Sequence, residues 1–180
     1  MIEFSSAKYK TIYADPPWPE HGGGKVKRGA DRHYQLMSVK DIIALPVASL
    51  ADPDGAHLYL WATNNYLPAA FACIEAWGFH YVTTITWMKD RIGLGQYFRG
   101  ITEHCLFAVT PNLLPYKTID GKRQQGITGF YSPKQEHSRK PDTMREMIER
   151  VSYTPRIELF AREAFPGWDA WGNEAPAPAA

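Results

Sequence analysis

Asp15-Pro16-Pro17-Trp18 sets a carboxylate, two peptide units without N–H groups and an aromatic face side by side, a combination that can do chemistry. An exocyclic amine of adenine or cytosine is a poor nucleophile, because its lone pair is delocalised into the ring. It has to be met by acceptors. Asp15 can accept one N–H and a proline carbonyl the other, drawing the nitrogen towards tetrahedral geometry. The fixed φ of Pro16 and Pro17 sets those acceptors in place beforehand. Trp18 adds a face on which a base can stack. The same four residues also make an ordinary strand-ending turn with Trp18 as a core aromatic, so on their own they leave both readings open.

The elements around this stretch place it. Tyr9–Ala14 alternates aromatic and β-branched residues and predicts a strand, which the two prolines end; Asp15 then stands at a strand's carboxyl end, where open α/β sheets bind ligands. Ser38 is a good N-cap for a short helix through Val39, Ile42, Ile43 and Leu45, stopped by Pro46. Ala56–Ala62 is a nearly continuous apolar strand and Leu67–Trp77 has helical spacing, with Gly78 in the C′ position. Phe79–Lys89 and Glu103–Val109 read as two more strands, paired as a hairpin around the loop that holds Arg91. Pro141-Asp142 opens a helix with Pro at N1, and Arg156–Ala161 is the last buried strand. Strands alternating with helices predict an α/β fold, an open sheet in three layers.

Basic residues fall in the loops. Residues 20–34 carry the run Gly22-Gly23-Gly24, a further glycine at Gly29, and Lys25, Lys27, Arg28 and Arg32. The run lacks the spacing of a phosphate-binding loop, and the segment suits a flexible basic lid, with Tyr34 either lining a base pocket or simply packing. Lys89, Arg91 and Arg99 interleave with Tyr97 and Phe98, a mixture that suits phosphates and bases and equally a solvated loop with aromatic anchors. Pro111–Gln125 is a second polar loop, with Lys117, Lys122 and Arg123. His137 and Arg139 flank the last helix and complete the candidate substrate contacts, with Trp18, Tyr34, Arg28, Lys89, Arg91 and Arg99.

At 180 residues, with 22% charged residues and a net charge of +1, the chain has the length for one core and too little excess charge for a polybasic binder. Residues 1–174 are expected to form one domain, and the Ala-Pro tail 175–180 is too poor in apolar side chains to fold. No stretch approaches a membrane span of roughly 18 apolar residues. The start lacks a basic, apolar signal, so a cytoplasmic protein without membrane contact is expected. Cys73 and Cys105 read as core thiols, and the histidines form no ligand-spaced set, so no metal is expected.

Several segments in fixed order carry a resemblance: Asp15-Pro16-Pro17-Trp18, His33-Tyr34, Met37-Ser38, Leu60-Trp61, Thr84-Ile85-Thr86-Trp87, Glu103-His104-Cys105-Leu106, Ser138-Arg139-Lys140-Pro141-Asp142, Ile148-Glu149-Arg150, Glu158-Leu159-Phe160-Ala161-Arg162 and Gly172-Asn173. Together they resemble the adenine-N6 methyltransferase family of the eukaryotic mRNA methyltransferase catalytic subunit, over nearly the whole chain. The resemblance implies a Rossmann-like, S-adenosylmethionine-dependent methyltransferase fold in circularly permuted order, with a mostly parallel sheet. A Gly-x-Gly-x-x-Gly is correspondingly missing near the start. It further implies that Asp15 meets both the substrate amine and the cofactor's methionine end, and that Lys140 pairs with the methionine carboxylate. Arg162, Asn173 and Glu174 would hold ribose and adenine, with Glu158 orienting Arg162. Three departures stand out: long members have an acidic segment before the catalytic strand, a His-Asn pair where this chain has Ala164-Phe165, and Gln where it has Glu174.

The expected activity is methylation of adenine N6 in DNA by a compact bacterial or phage member that prefers unpaired or extruded bases. A homodimer would supply any grip on a duplex. Methylation of RNA adenine fits the same motifs, as does a non-catalytic nucleic-acid-binding partner subunit, against which the intact Asp15-Pro16-Pro17-Trp18 and Lys140 weigh.

Overall fold

A computed structural model of the chain describes residues 4, 6–19, 36–93, 95, 97–134 and 139–172. Within them, strand β1 (Thr11–Ala14) is followed by helix α1 (Val39–Ile43), β2 (His57–Ala62), α2 (Leu67–Ala76), β3 (His80–Met88) and β4 (Thr102–Val109). Then come the small hairpin of β5 (Thr118–Ile119) and β6 (Lys122–Arg123), β7 (Gly129–Tyr131), α3 (Asp142–Val151), β8 (Arg156–Leu159) and β9 (Asp169–Trp171). Seven strands form one sheet in the order β7-β3-β4-β2-β1-β8-β9. β4 alone runs against the others: it is antiparallel to both β2 and β3, while β1 is parallel to β2 and β8. The first strand therefore lies beside the last long one, the neighbourhood that a permuted Rossmann-like order requires.

Strand alternation sorts the core into two layers. Ile12, Ala14, Leu58, Leu60, Leu106, Ile157 and Leu159 face α1 and α2, packing on Ile42, Ile74 and Trp77. Tyr13, Tyr59, Trp61, Ile85, Trp87 and Cys105 face the other way, onto Met144, Met147 and Ile148 of α3. A sheet covered on both faces explains why β2 is buried at all six positions. Ser38 caps α1 by accepting the Asp41 N–H at 3.1 Å, and Gly78 follows α2 at φ +76°, a conformation that glycine adopts at little cost.

The expected strands, helices and the hairpin around Arg91 are all present. Two details differ. Pro141 is the N-cap residue of α3, in extended conformation, and Asp142 takes the first helical position. The polar loop 111–125 contains β5 and β6, which are too short to show a period. Lys117 in that loop donates to the carbonyls of Glu149 (2.6 Å) and Ser152 (3.2 Å), so it caps the carboxyl end of α3. Among the described residues no helix is long and apolar enough to cross a membrane.

Candidate active site

The carboxyl ends of β1, β2, β3, β8 and β9 lie along one sheet edge, joined there by the amino end of the reversed β4. Asp15 follows β1 directly, its N–H directed at the Leu159 carbonyl at 3.5 Å. By alternation it shares a face with Tyr13, as Glu103 does with Cys105 and Lys89 with Trp87, and this is the α3 face. Lys140, in the segment leading into α3, completes the set. Its Nζ donates to Asp15 Oδ2 at 2.7 Å and stands 3.4 Å from Glu103 Oε2, while Lys89 Nζ pairs with Glu103 Oε1. The result is a row of alternating charges, Asp15–Lys140–Glu103–Lys89, across the edge.

These four side chains are between 14 and 19% exposed, so they are largely desolvated yet open to a ligand on one side. Burial alone would raise the Glu103 carboxyl, but Lys140 and Lys89 outweigh it and hold Glu103 below its ordinary range, charged at neutral pH. Beneath the row, burial pushes Tyr13 and Cys105 well up, so both stay neutral.

Pro16 and Pro17 form a braced turn. The Pro16 carbonyl accepts the Trp18 N–H at 2.8 Å and the Pro17 carbonyl the Met37 N–H at 3.1 Å, which leaves each a second lone pair. Trp18 is a correction to the expected stacking face. It is 5% exposed, its indole N–H donates to the Trp61 carbonyl at 2.9 Å, and its ring stacks on Tyr66 at 5.5 Å. Apolar burial and a satisfied N–H make it the peg that seats the turn on the core.

Glu158, one strand over, pairs with Arg145 of α3 at 2.7 Å. The Arg145 guanidinium lies 3.6 Å over the Phe165 ring and 5.0 Å from that of Trp168, a stacked setting for a planar cation. Burial raises Glu158, and Arg145 opposes that shift only in part. Phe160 then takes φ +63°, backbone strain of the kind that gathers at functional sites, and turns the chain towards Arg162 on the same edge.

Lys89 is the second correction, since it belongs to the charge row and is not a solvent-reaching phosphate contact. Arg91 is 79% exposed beside Asp90, Arg99 donates from Nε to the Gly93 carbonyl at 2.9 Å, and Arg139 pairs with Asp142 at 3.2 Å. The structure thus brings Asp15, Pro16, Pro17, Lys140, Glu158 and Arg162 to one edge. Arg28, Tyr34, His137, Asn173 and Glu174 lie outside the described residues. Glu103 has no role assignable from sequence alone; its signal is a charged residue entering an otherwise apolar strand, which calls for a partner.

Residues 9–174 match the family MT-A70. A rice protein (Oryza sativa subsp. japonica) named "Probable N(6)-adenosine-methyltransferase MT-A70-like" is 33% identical over 93% of this chain and 23% of its own length. The human (Homo sapiens) N(6)-adenosine-methyltransferase catalytic subunit METTL3 is 30% identical over 93% of this chain and 28% of its own length. The type II methyltransferase M.MunI of a Mycoplasma species is 30% identical over 94% of this chain and 78% of its own length. The chain spans about a quarter of the plant and human relatives and most of M.MunI. With a mixed α/β sheet, an Asp-Pro-Pro-Trp turn at its carboxyl edge and a family match over nearly its whole length, the chain belongs to the MT-A70 family of N6-adenine methyltransferases.

Proposed function

We propose that this chain transfers a methyl group from S-adenosylmethionine to the N6 amine of adenine in DNA. The observation that carries the reading is the Asp15–Lys140 pair at the mouth of the Pro16-Pro17 turn. A cation and an anion side by side fit the zwitterionic end of a methionine: Lys140 would hold its carboxylate and Asp15 its ammonium. Glu158 and Arg162 would face the ribose hydroxyls, with Asn173 and Glu174 towards the cofactor adenine. When bound, the cofactor supplies an electrophilic methyl group. Asp15 and a proline carbonyl accept the two N–H groups of the amine and localise its lone pair. The nitrogen would take the methyl carbon as the bond from that carbon to the cofactor sulfur breaks, the electron pair staying on sulfur, and the proton it sheds would leave through the Asp15 carboxylate.

DNA is favoured because M.MunI, named as a type II methyltransferase, is matched over most of its length. RNA is the second reading, from the relatives named for adenosine. The basic loops suit an unpaired or extruded base, with a second copy of the chain adding grip on a duplex. Methyl transfer from labelled cofactor to matched single- and double-stranded DNA and RNA oligonucleotides, followed by digestion to nucleosides, tests this. N6-methyldeoxyadenosine is the expected product. Label in adenosine alone would assign RNA, and label in neither would remove the activity.

A further inference from the structure

Tyr97 and Phe98 are 94% and 92% exposed, the two most exposed large hydrophobic side chains among the described residues. They are held out by a built scaffold. The β3–β4 ladder continues beyond the strands through Lys89 N–H to the Ile101 carbonyl (2.8 Å) and Gly93 N–H to the Gly100 carbonyl (2.7 Å), and Arg99 Nε closes on Gly93. At Gly95 (φ +157°) a Cβ would stand 2.0 Å from the Phe98 carbonyl oxygen, so the tip turns as it does only with glycine there. β3 runs towards the edge where Asp15 stands, so the hairpin projects past it. The ion pairs Lys89–Glu103 and Glu103–Lys140 tie its root to Asp15.

We infer that Tyr97 and Phe98 are a stacking platform for the nucleobases flanking the target adenine, a reading that rests on the proposed nucleic-acid substrate. Residues 91–101 include Arg91 and Arg99 and no acidic residue; Asp90 stands 3.7 Å from Arg91 at the root, so the tip itself keeps an excess of positive charge through Arg99, complementary to a phosphate backbone. Rings exposed on both faces offer π surfaces to unstacked bases, the role that buried Trp18 does not fill. A target base leaving its stack exposes its neighbours, and an aromatic pair beside the site can cover them.

The test uses a fluorescein-labelled, mixed-sequence single-stranded DNA 20-mer and the same strand carrying 5-iodouracil. Irradiation is expected to give adducts at Tyr97 or Phe98. The double variant Tyr97→Ala/Phe98→Ala should bind about tenfold more weakly, as loss of base stacking predicts. Its salt dependence should be unchanged, whereas Arg91→Ala should flatten that dependence. Cofactor affinity by calorimetry should stay at the parent value. Tyr97→Leu/Phe98→Leu should be as weak as the alanine pair, and parental binding by the leucine pair would overturn stacking in favour of mere apolar bulk. Unchanged binding by the alanine pair, or its conversion of a dimer to a monomer in sedimentation, would also overturn the proposal, the latter by making the tip a contact between copies. A parent chain that methylates DNA with an alanine pair that binds normally removes this inference alone; a parent that neither binds nor methylates any oligonucleotide removes both readings.

Discussion

α3 joins two polar clusters, one at each edge of the sheet, and they are built from different chemistry. At the amino edge Ser152 Oγ lies 2.7 Å from both His57 Nδ1 and Tyr59 Oη, the Thr11 hydroxyl donates to the Tyr153 carbonyl at 2.7 Å, and Lys117 caps the helix. Apart from Lys117, and Arg156 that donates to the same Glu149 carbonyl at 3.3 Å, these groups are neutral: burial lowers His57 to about 4 and raises Tyr59. At the carboxyl edge, beside the start of α3, stand Asp15, Lys140, Glu103 and Lys89, alternating in charge. A neutral network, fully bonded within itself, is enough to lock a helix to a sheet. Desolvated charges are a costly way to do the same. Their placement on the accessible edge is explained if a ligand with complementary charges takes over part of the row.

Substitutions at the two edges should therefore separate activity from stability. Asp15→Ala has the largest expected effect: methyl transfer should fall on the order of a hundredfold or more, as for lost preorganised electrostatics, while unfolding stays cooperative. Near-normal turnover by the folded variant would break the contrast.

The amino edge should respond to acid instead. An unfolded imidazole takes its proton near 6.5, but folded His57 waits until about 4. Protons thus favour the unfolded chain, and stability that is complete well above pH 6.5 is lost as the pH falls towards 4. Between pH 7 and pH 5 the parent should lose about 2 kcal/mol more than His57→Gln in urea unfolding. Parallel losses in the two proteins would show that His57 does not govern this window.

Lys140→Ala should weaken cofactor binding about tenfold, read by calorimetry, since a charged hydrogen bond is lost. It should also lower the melting temperature, because Asp15 and Glu103 lose the cation between them. Unchanged affinity would confine Lys140 to the charge row. The smallest effect is expected for Lys117→Met, about 1 kcal/mol of stability with no change in the salt dependence of DNA binding. A flattened salt dependence would return Lys117 to the nucleic-acid surface.

The long elements were legible because their signals are local. Tyr9–Ala14 and Ala56–Ala62 carry strand patterns, Ser38 and Gly78 mark helix ends, and the hairpin follows from two strands joined by one loop. β7 and β9, of three residues each, are edge strands fixed by their partners, with nothing periodic to read. In the site, Asp15 is legible from its own motif and Lys140 through the resemblance, while Glu103 and Arg145 are not. Glu103 meets Lys140 only because β4 enters the sheet reversed, and Arg145 meets Glu158 only because α3 crosses β8. Both depend on tertiary order. Trp18 shows the opposite failure, since an aromatic next to a candidate catalytic carboxylate reads as a ligand platform until its burial is known.

The reversal of β4 has one more consequence. Parallel neighbours must be joined by crossovers that pack on the sheet, so their lengths are constrained by the core. A hairpin end is not. The described residues of 91–101 are closed by their own ladder, and doubling such a loop costs only about 0.6 kcal/mol in closure entropy. With the base-stacking role proposed above, the fold carries beside Asp15 an exchangeable cassette, where target preference can be rewritten by grafting while Lys89 and the rest of the charge row are kept.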